Sequence, residues 1–222
     1  MNTSIRLTTA GLALLVSTFA GRAETSGARP LAPMVQTISV TLTRIAALPV
    51  TAPATDTELK ALAKGCHAAL TALAKRLGDQ AVPEDYVSDL TRAHGILTAM
   101  AAKPNLAADD LARLKAVSDD IHAKRRWADK HHDAPTGPVT LEVATAKGKA
   151  SVGSYDVWSR SALDEQTEPV QPATVSDEPR RISLRPGNYV LWLRSRGATP
   201  ADGARREFAA DGAPMRVELV AP

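Results

Sequence analysis

Three histidines lie within or beside apolar stripes of helical spacing: His67, His94 and His122. Imidazoles that converge from neighbouring helices bind a metal ion or a haem iron. Such a site needs its ligands at set spacings, and the chain has no HxxxH, ExxH or Cys-x-x-Cys-His run. His131-His132 stands in a polar segment and suits only adventitious metal. Asp109-Asp110 and Asp119-Asp120 are carboxylate pairs near one another on one helix. They read as solvated faces or as a match to the positive end of the helix, because catalytic carboxylates sit in clefts that shift their acidity. Gly-x-Ser-x-Gly, a phosphate loop and a dinucleotide fingerprint are also missing. The sequence therefore assigns no catalytic residue, no metal ligand and no cofactor. A helical metal- or haem-binding protein and an unrecognised extracytoplasmic hydrolase stand as the alternative functions.

Two tryptophans offer a different chemistry. Tyr189, Leu191 and Leu193 fall on one face of a strand, with Val190 and Trp192 on the other. Trp158 likewise opposes Tyr155 and Val157. If the aliphatic faces form the core, Trp158 and Trp192 share an outer face suited to a partner protein or, less directly, to stacking on a glycan. The bland reading places both indoles in the core or beneath the helices. Cys66, the single cysteine, cannot form an internal disulfide. It lies on an apolar helical stripe and reads as a buried structural thiol.

Charge and hydropathy narrow the class further. The chain has 222 residues, a formal net charge of +3 and 44% hydrophobic residues, with only 4% aromatic. Its one dense basic run, Lys124-Arg125-Arg126, reads as a solvated helix end. A nucleic-acid protein would show a broad basic face interleaved with aromatics. The first residues carry a stronger signal. Arg6, an apolar core from Leu12 to Phe19, and small residues at Ala20 and Ala23 form the pattern of a secretory signal peptide over residues 1–23. The run is shorter than the ~20 residues of a membrane span, so no stable span is expected after cleavage. The expected location is extracytoplasmic, either periplasmic or secreted.

The elements that must position these groups divide into two kinds. Met34 to Leu48 fits a helical stripe through Val35, Ile38, Leu42 and Ile45, and it also fits an alternating strand. Its Ala-Ala-Leu continuation favours helix. Thr55 to Glu58 has the capping-box pattern, with Thr55 as N-cap. Leu59, Leu62, Cys66, Leu70, Leu73 and Leu77 then make one face of a helix ending at Gly78. A second stripe runs through Tyr86, Leu90, Ala93, Leu97 and Met100. A third, capped by Asn105, runs through Leu111, Leu114, Val117 and Ile121 and frays at Trp127. Short connections make residues 34–132 an up-and-down bundle.

Beyond Pro135-Thr136-Gly137-Pro138 the apolar period drops to two. Strands are expected at Val139–Val143, Val152–Ser159, Ile182–Leu184, Tyr189–Arg194, Arg205–Ala209 and Met215–Val220, with residues 164–179 a long loop. Arg185-Pro186-Gly187-Asn188 has the signature of a type II turn. The fold class is α+β: an N-terminal antiparallel helical bundle followed by a C-terminal antiparallel β-sandwich over residues 138–222.

Ile182-Ser183-Leu184-Arg185-Pro186-Gly187-Asn188-Tyr189-Val190-Leu191 resembles the "L-x-P-G-x-Y-x-V" hairpin of carboxypeptidase-regulatory-like and transthyretin-like sandwich domains. The resemblance covers the last third of the chain. It implies a binding or structural appendage without catalytic residues of its own. Together these readings describe an exported, non-catalytic binding or cell-envelope protein. It would contact a partner protein through the sandwich or a helical face.

N-terminal sequencing of the mature protein is expected to start just after Ala20 or Ala23. Met1 on the abundant species would remove the basis for export.

Overall fold

The computed structural model describes residues 31–51, 53–78, 82, 84–130, 136–144, 155–164, 169–175, 179–195 and 204–220. Residues 1–23 and His131-His132 lie outside these. Four helices precede seven strands: α1 Leu31–Ala47, α2 Pro53–Leu77, α3 Glu84–Ala101, α4 Ala108–Lys130, β1 Gly137–Ala144, β2 Tyr155–Ser161, β3 Val170–Val175, β4 Arg180–Leu184, β5 Gly187–Ser195, β6 Ala204–Ala210 and β7 Met215–Val220.

The ambiguous first segment is helix. Val35, Ile38, Leu42 and Ile45 are buried, while Val40, which a strand would have put with Ile38 and Leu42, is 66% exposed. Thr37, Thr41 and Thr43 each donate a hydroxyl hydrogen bond to the carbonyl four residues earlier, at 2.9–3.0 Å. That bond lets β-branched threonine sit in a helix at little cost.

Two caps differ from expectation. Pro53 opens α2, so Thr55 lies inside the first turn instead of before it; proline is preset for that position and lacks the amide that would go unpaired. Asn105 does not cap α4. Asp110 does, its Oδ2 accepting the Ala107 amide at 3.0 Å, the reach-back half of a capping box. Gly78 closes α2 as read, at φ +53°, donating its amide to Ala74 O at 2.8 Å.

Successive helices alternate in direction, but they do not ring the bundle in chain order. The Pro49–Thr51 and Leu106 connectors hydrogen-bond to each other, so α1 and α3 end where α2 and α4 begin. α2 packs on α1 and α4, and α1 packs on α3. The core is a single cluster built around Leu42, Leu70, Leu97, Leu114 and Cys66. Trp127 belongs to this core as well, packed on Tyr86 with ring centroids 5.4 Å apart, so α4 does not fray there.

The strands form a sandwich. One sheet has the order β4-β1-β7, and the other β3-β2-β5-β6. Every pairing is antiparallel except β1 with β7, which is parallel. Val139, Leu141, Val217 and Leu219 from the first sheet meet Val157, Val175, Leu191 and Leu193 from the second. β3 occupies part of the segment read as loop. It is an edge strand, the place in a sheet where a proline such as Pro172 is tolerated.

The expected 182–191 hairpin is not one. β4 and β5 belong to different sheets, and Gly187 lacks the positive φ of a type II turn. Pro186 and Gly187 instead carry the chain from sheet to sheet. Tyr189 braces this corner by donating its hydroxyl to Arg185 O at 3.0 Å, as tyrosine corners do in sandwiches. Its ring stacks on Phe208 at 6.0 Å. It is half-buried and marks the end of the sandwich core.

Leu163, in the turn after β2, is buried in the helical core cluster. It ties the two halves together. Leu163→Ala is expected to destabilise the protein by about 2–5 kcal/mol, as large-to-small core changes do. Urea melts followed by helical circular dichroism and by tryptophan fluorescence should shift together. A loss confined to one signal would mean the halves unfold separately.

Candidate functional site

α4 is buried on two sides. Leu114, Val117 and Ile121 face the bundle core. Asp120 and Lys124 are buried too, because the four-stranded sheet packs across the second half of the helix; Asp110, in the first turn, is buried with Lys103 and the Ala107 amide as its partners. This overturns two readings: Lys124 is 0% exposed and Asp120 1% exposed, so neither belongs to a solvated face. One turn apart on α4, they form a bidentate pair, with Lys124 Nζ 2.7 Å from both Asp120 oxygens. Asp89 of α3 lies 3.2 Å from the same Nζ, and the Tyr86 ring centroid 5.4 Å from it. From the sandwich side, the Asn188 amide donates to Asp120 Oδ1 at 3.1 Å.

Burial pushes the Asp120 carboxyl up, Lys124 draws it back, and Asp89 raises it further. Burial, with Asp120 nearby, also pushes the Cys66 thiol up to about 12, so Cys66 is an inert core thiol. Tyr86 is shifted upward for the same reasons, burial first and then Asp120 and Asp89.

Gly187 leaves the buried pair its space at this junction. A Cβ there would stand 3.0 Å from Asp120 Oδ1 and 3.4 Å from Lys124 Nζ. The cluster is thus a sealed joint: it fixes β5 on α4 and offers no reacting group to solvent. Arg126 adds an outer tie to Asp211 at 2.9 Å.

Past the joint, α4 and the sheet diverge. Between them opens a cleft of about 630 Å³ bounded by α3, the first half of α4, the turn after β2, and β5 and β6. Its apolar surface includes Ile96, Ala116, Leu163 and Val190, and its charged groups include Arg92, Arg113, Arg160 and Arg205. Arg92 is engaged by Asp89 at 3.1 Å and Asp164 at 3.4 Å.

Farther along the same sheet face are the two tryptophans. Trp158 and Trp192 are direct cross-strand partners, both half-buried. Arg160 lies over the Trp192 ring at 5.2 Å, and Arg194 over Trp158 at 5.7 Å. The outer face is therefore a ladder of alternating indole and guanidinium groups. Sequence reasoning found the indoles and missed the arginines. The signal was the repeat Trp158-Ser-Arg160 and Trp192-Leu-Arg194, which puts each pair on one face of antiparallel strands.

The histidines do not converge in this way. His67 is exposed, while His94 and His122 are half-buried. His94 Nε2 pairs with Thr98 Oγ1 at 3.2 Å. His122 is held below its usual acidity range by burial and by Arg125 and Arg126. Among the described residues no three His, Cys, Asp or Glu side chains cluster as a metal site would. No helix there is long and apolar enough to cross a membrane.

No protein-family model and no curated relative matches the sequence. Among solved structures, a crystal structure of (S)-allantoin synthase is 12% identical, with 86% of this chain and 93% of that chain covered at a TM-score of 0.25. A pilus-presented adhesin is 11% identical, with 86% and 57% covered at 0.21. Superpositions this loose carry no argument about fold or function.

Lys124→Met strands a buried carboxylate and is expected to cost about 3–5 kcal/mol in urea unfolding. Adding Asp120→Asn keeps an acceptor for the Asn188 amide and removes the orphaned charge, so the double variant should recover more than half of the loss. Equal losses would show that packing, and not charge pairing, holds the joint.

Proposed function

We propose that this chain is an exported, non-catalytic binding protein of the cell envelope or exterior. It contacts a partner protein through the outer face of the β3-β2-β5-β6 sheet. The observation that carries the reading is the cross-strand Trp158–Trp192 pair clad by Arg160 and Arg194. Tryptophan and arginine are the side chains most often found at interface hot spots, where rigid apolar area and multidentate donors coincide. The guanidinium groups keep the indoles from forming a bare apolar patch in the unbound protein.

The signal-peptide pattern of residues 1–23 supports export. The change of apolar period at Asp133–Pro138 supports a two-part organisation, with the helical part as a platform for the sandwich. In this reading the sandwich is a transthyretin-like appendage, supported by the Pro186-Gly187-Asn188-Tyr189 run at its sheet-crossing corner.

The test is capture from the extracytoplasmic fraction with the mature protein as bait. A specific partner is expected, and Trp192→Ala and Trp158→Ala should each weaken its binding by about tenfold or more. Arg216→Ala, on the opposite sheet, should not. A partner held equally by all variants would place the interface elsewhere.

A further inference from the structure

We propose that the cleft between α4 and the outer sheet face binds a small organic anion with an apolar chain, its acid group held between Arg113 and Arg205. The cavity, about 630 Å³, falls within the ~300–1,000 Å³ of small-molecule sites. It is held open by small side chains: Ala99, Ala112, Ala116 and Ala162 all line it. Larger residues there would close it. Ile96 and Ala116 are partly exposed, and Ala99 and Ala112 are exposed, so an apolar chain laid along them would leave water for a preformed surface; Leu163 and Val190 form the closed floor beneath.

Charge bookkeeping within the cleft selects the sign of the ligand. Of its arginines, Arg92 is taken by Asp89 and Asp164, and Arg160 covers Trp192. Of its acids, Asp164 is the partner of Arg92, and Glu207 accepts the Asn188 side-chain amide at 2.9 Å. Asp109 sits in the first turn of α4, matched to the positive helix end. Arg113 and Arg205 are left, both exposed and without an ion pair among the described residues. They rise from different walls, α4 and β6. Guanidinium forks suit a carboxylate or a phosphate monoester, which they bind through paired hydrogen bonds. Asp109 and Glu207 keep their charge, but the four lining arginines outnumber the three lining acids. The cleft borders the tryptophan face, since Arg205 is the cross-strand partner of Trp192 and Arg160 covers that ring; anion titration and partner capture are separate readouts, so either proposal can fail alone.

The probes are octanoate and octyl phosphate, with octanol and octylamine as the neutral and cationic counterparts. They are titrated calorimetrically into the full mature chain. At least one anion should bind about tenfold more tightly than octanol or octylamine; whichever headgroup wins indicates a fatty-acid-like or a phosphate-ester ligand. Arg113→Gln/Arg205→Gln should lower that affinity about tenfold or more while leaving the urea midpoint in place. Ala112→Trp, at an exposed wall position, should block all probes without unfolding the protein. Equal binding of octanol, tighter binding of octylamine, indifference to the double variant, or no binding of any probe at millimolar concentration would each overturn the assignment.

Discussion

The structure hangs on one buried ion pair. Lys124 and Asp120 are removed from water at the point where a helix crosses a sheet. Two such charges are tolerated only where geometry is tight and every remaining donor and acceptor is used. That condition accounts for their neighbours: Asp89 as the second carboxylate, the Asn188 amide as a donor from the other half, and Gly187, whose missing Cβ keeps the contact from being crowded. Because the pair is anchored to α4 and read by the backbone of β5, it sets where the sheet meets the helix. The divergence beyond that point, and hence the cleft, follows from it.

Much of the fold was legible from periodicity. The stripes of α2 and α3 and the alternation in β1 and β5 mark buried faces directly, because one apolar face facing one core leaves a clean period. α4 defied the same logic. It has two covered sides, and its second side is polar: Asp120 and Lys124 carry the contact. A charged pair four residues apart on a helix has the same pattern whether it is solvated or sealed beneath a sheet. Only the tertiary partner, Asn188, some seventy positions later in the chain, tells the two cases apart.

The Pro186-Gly187 segment shows a related limit. Its residue types mark a change of direction, and a change of direction occurs there. Whether the chain folds back on itself or steps to a second sheet depends on where β4 and β5 find their hydrogen-bond partners, which local residue preferences do not encode. The indole–guanidinium ladder sits between these extremes. Strand parity placed Trp158 and Trp192 on one face. Extending that parity by two residues on each strand would have placed Arg160 and Arg194 there as well.

The burial of Leu163 among the helices bears on how such a chain is made. Synthesis and any passage through a membrane channel run from the N-terminus, so all four helices emerge before the residue that fills their core. Until β2 and its following turn arrive, the bundle carries an open socket lined with aliphatic side chains, and Lys124 has not met the backbone that completes its cage. The helical core is therefore complete only once the first strands of the sandwich have been delivered.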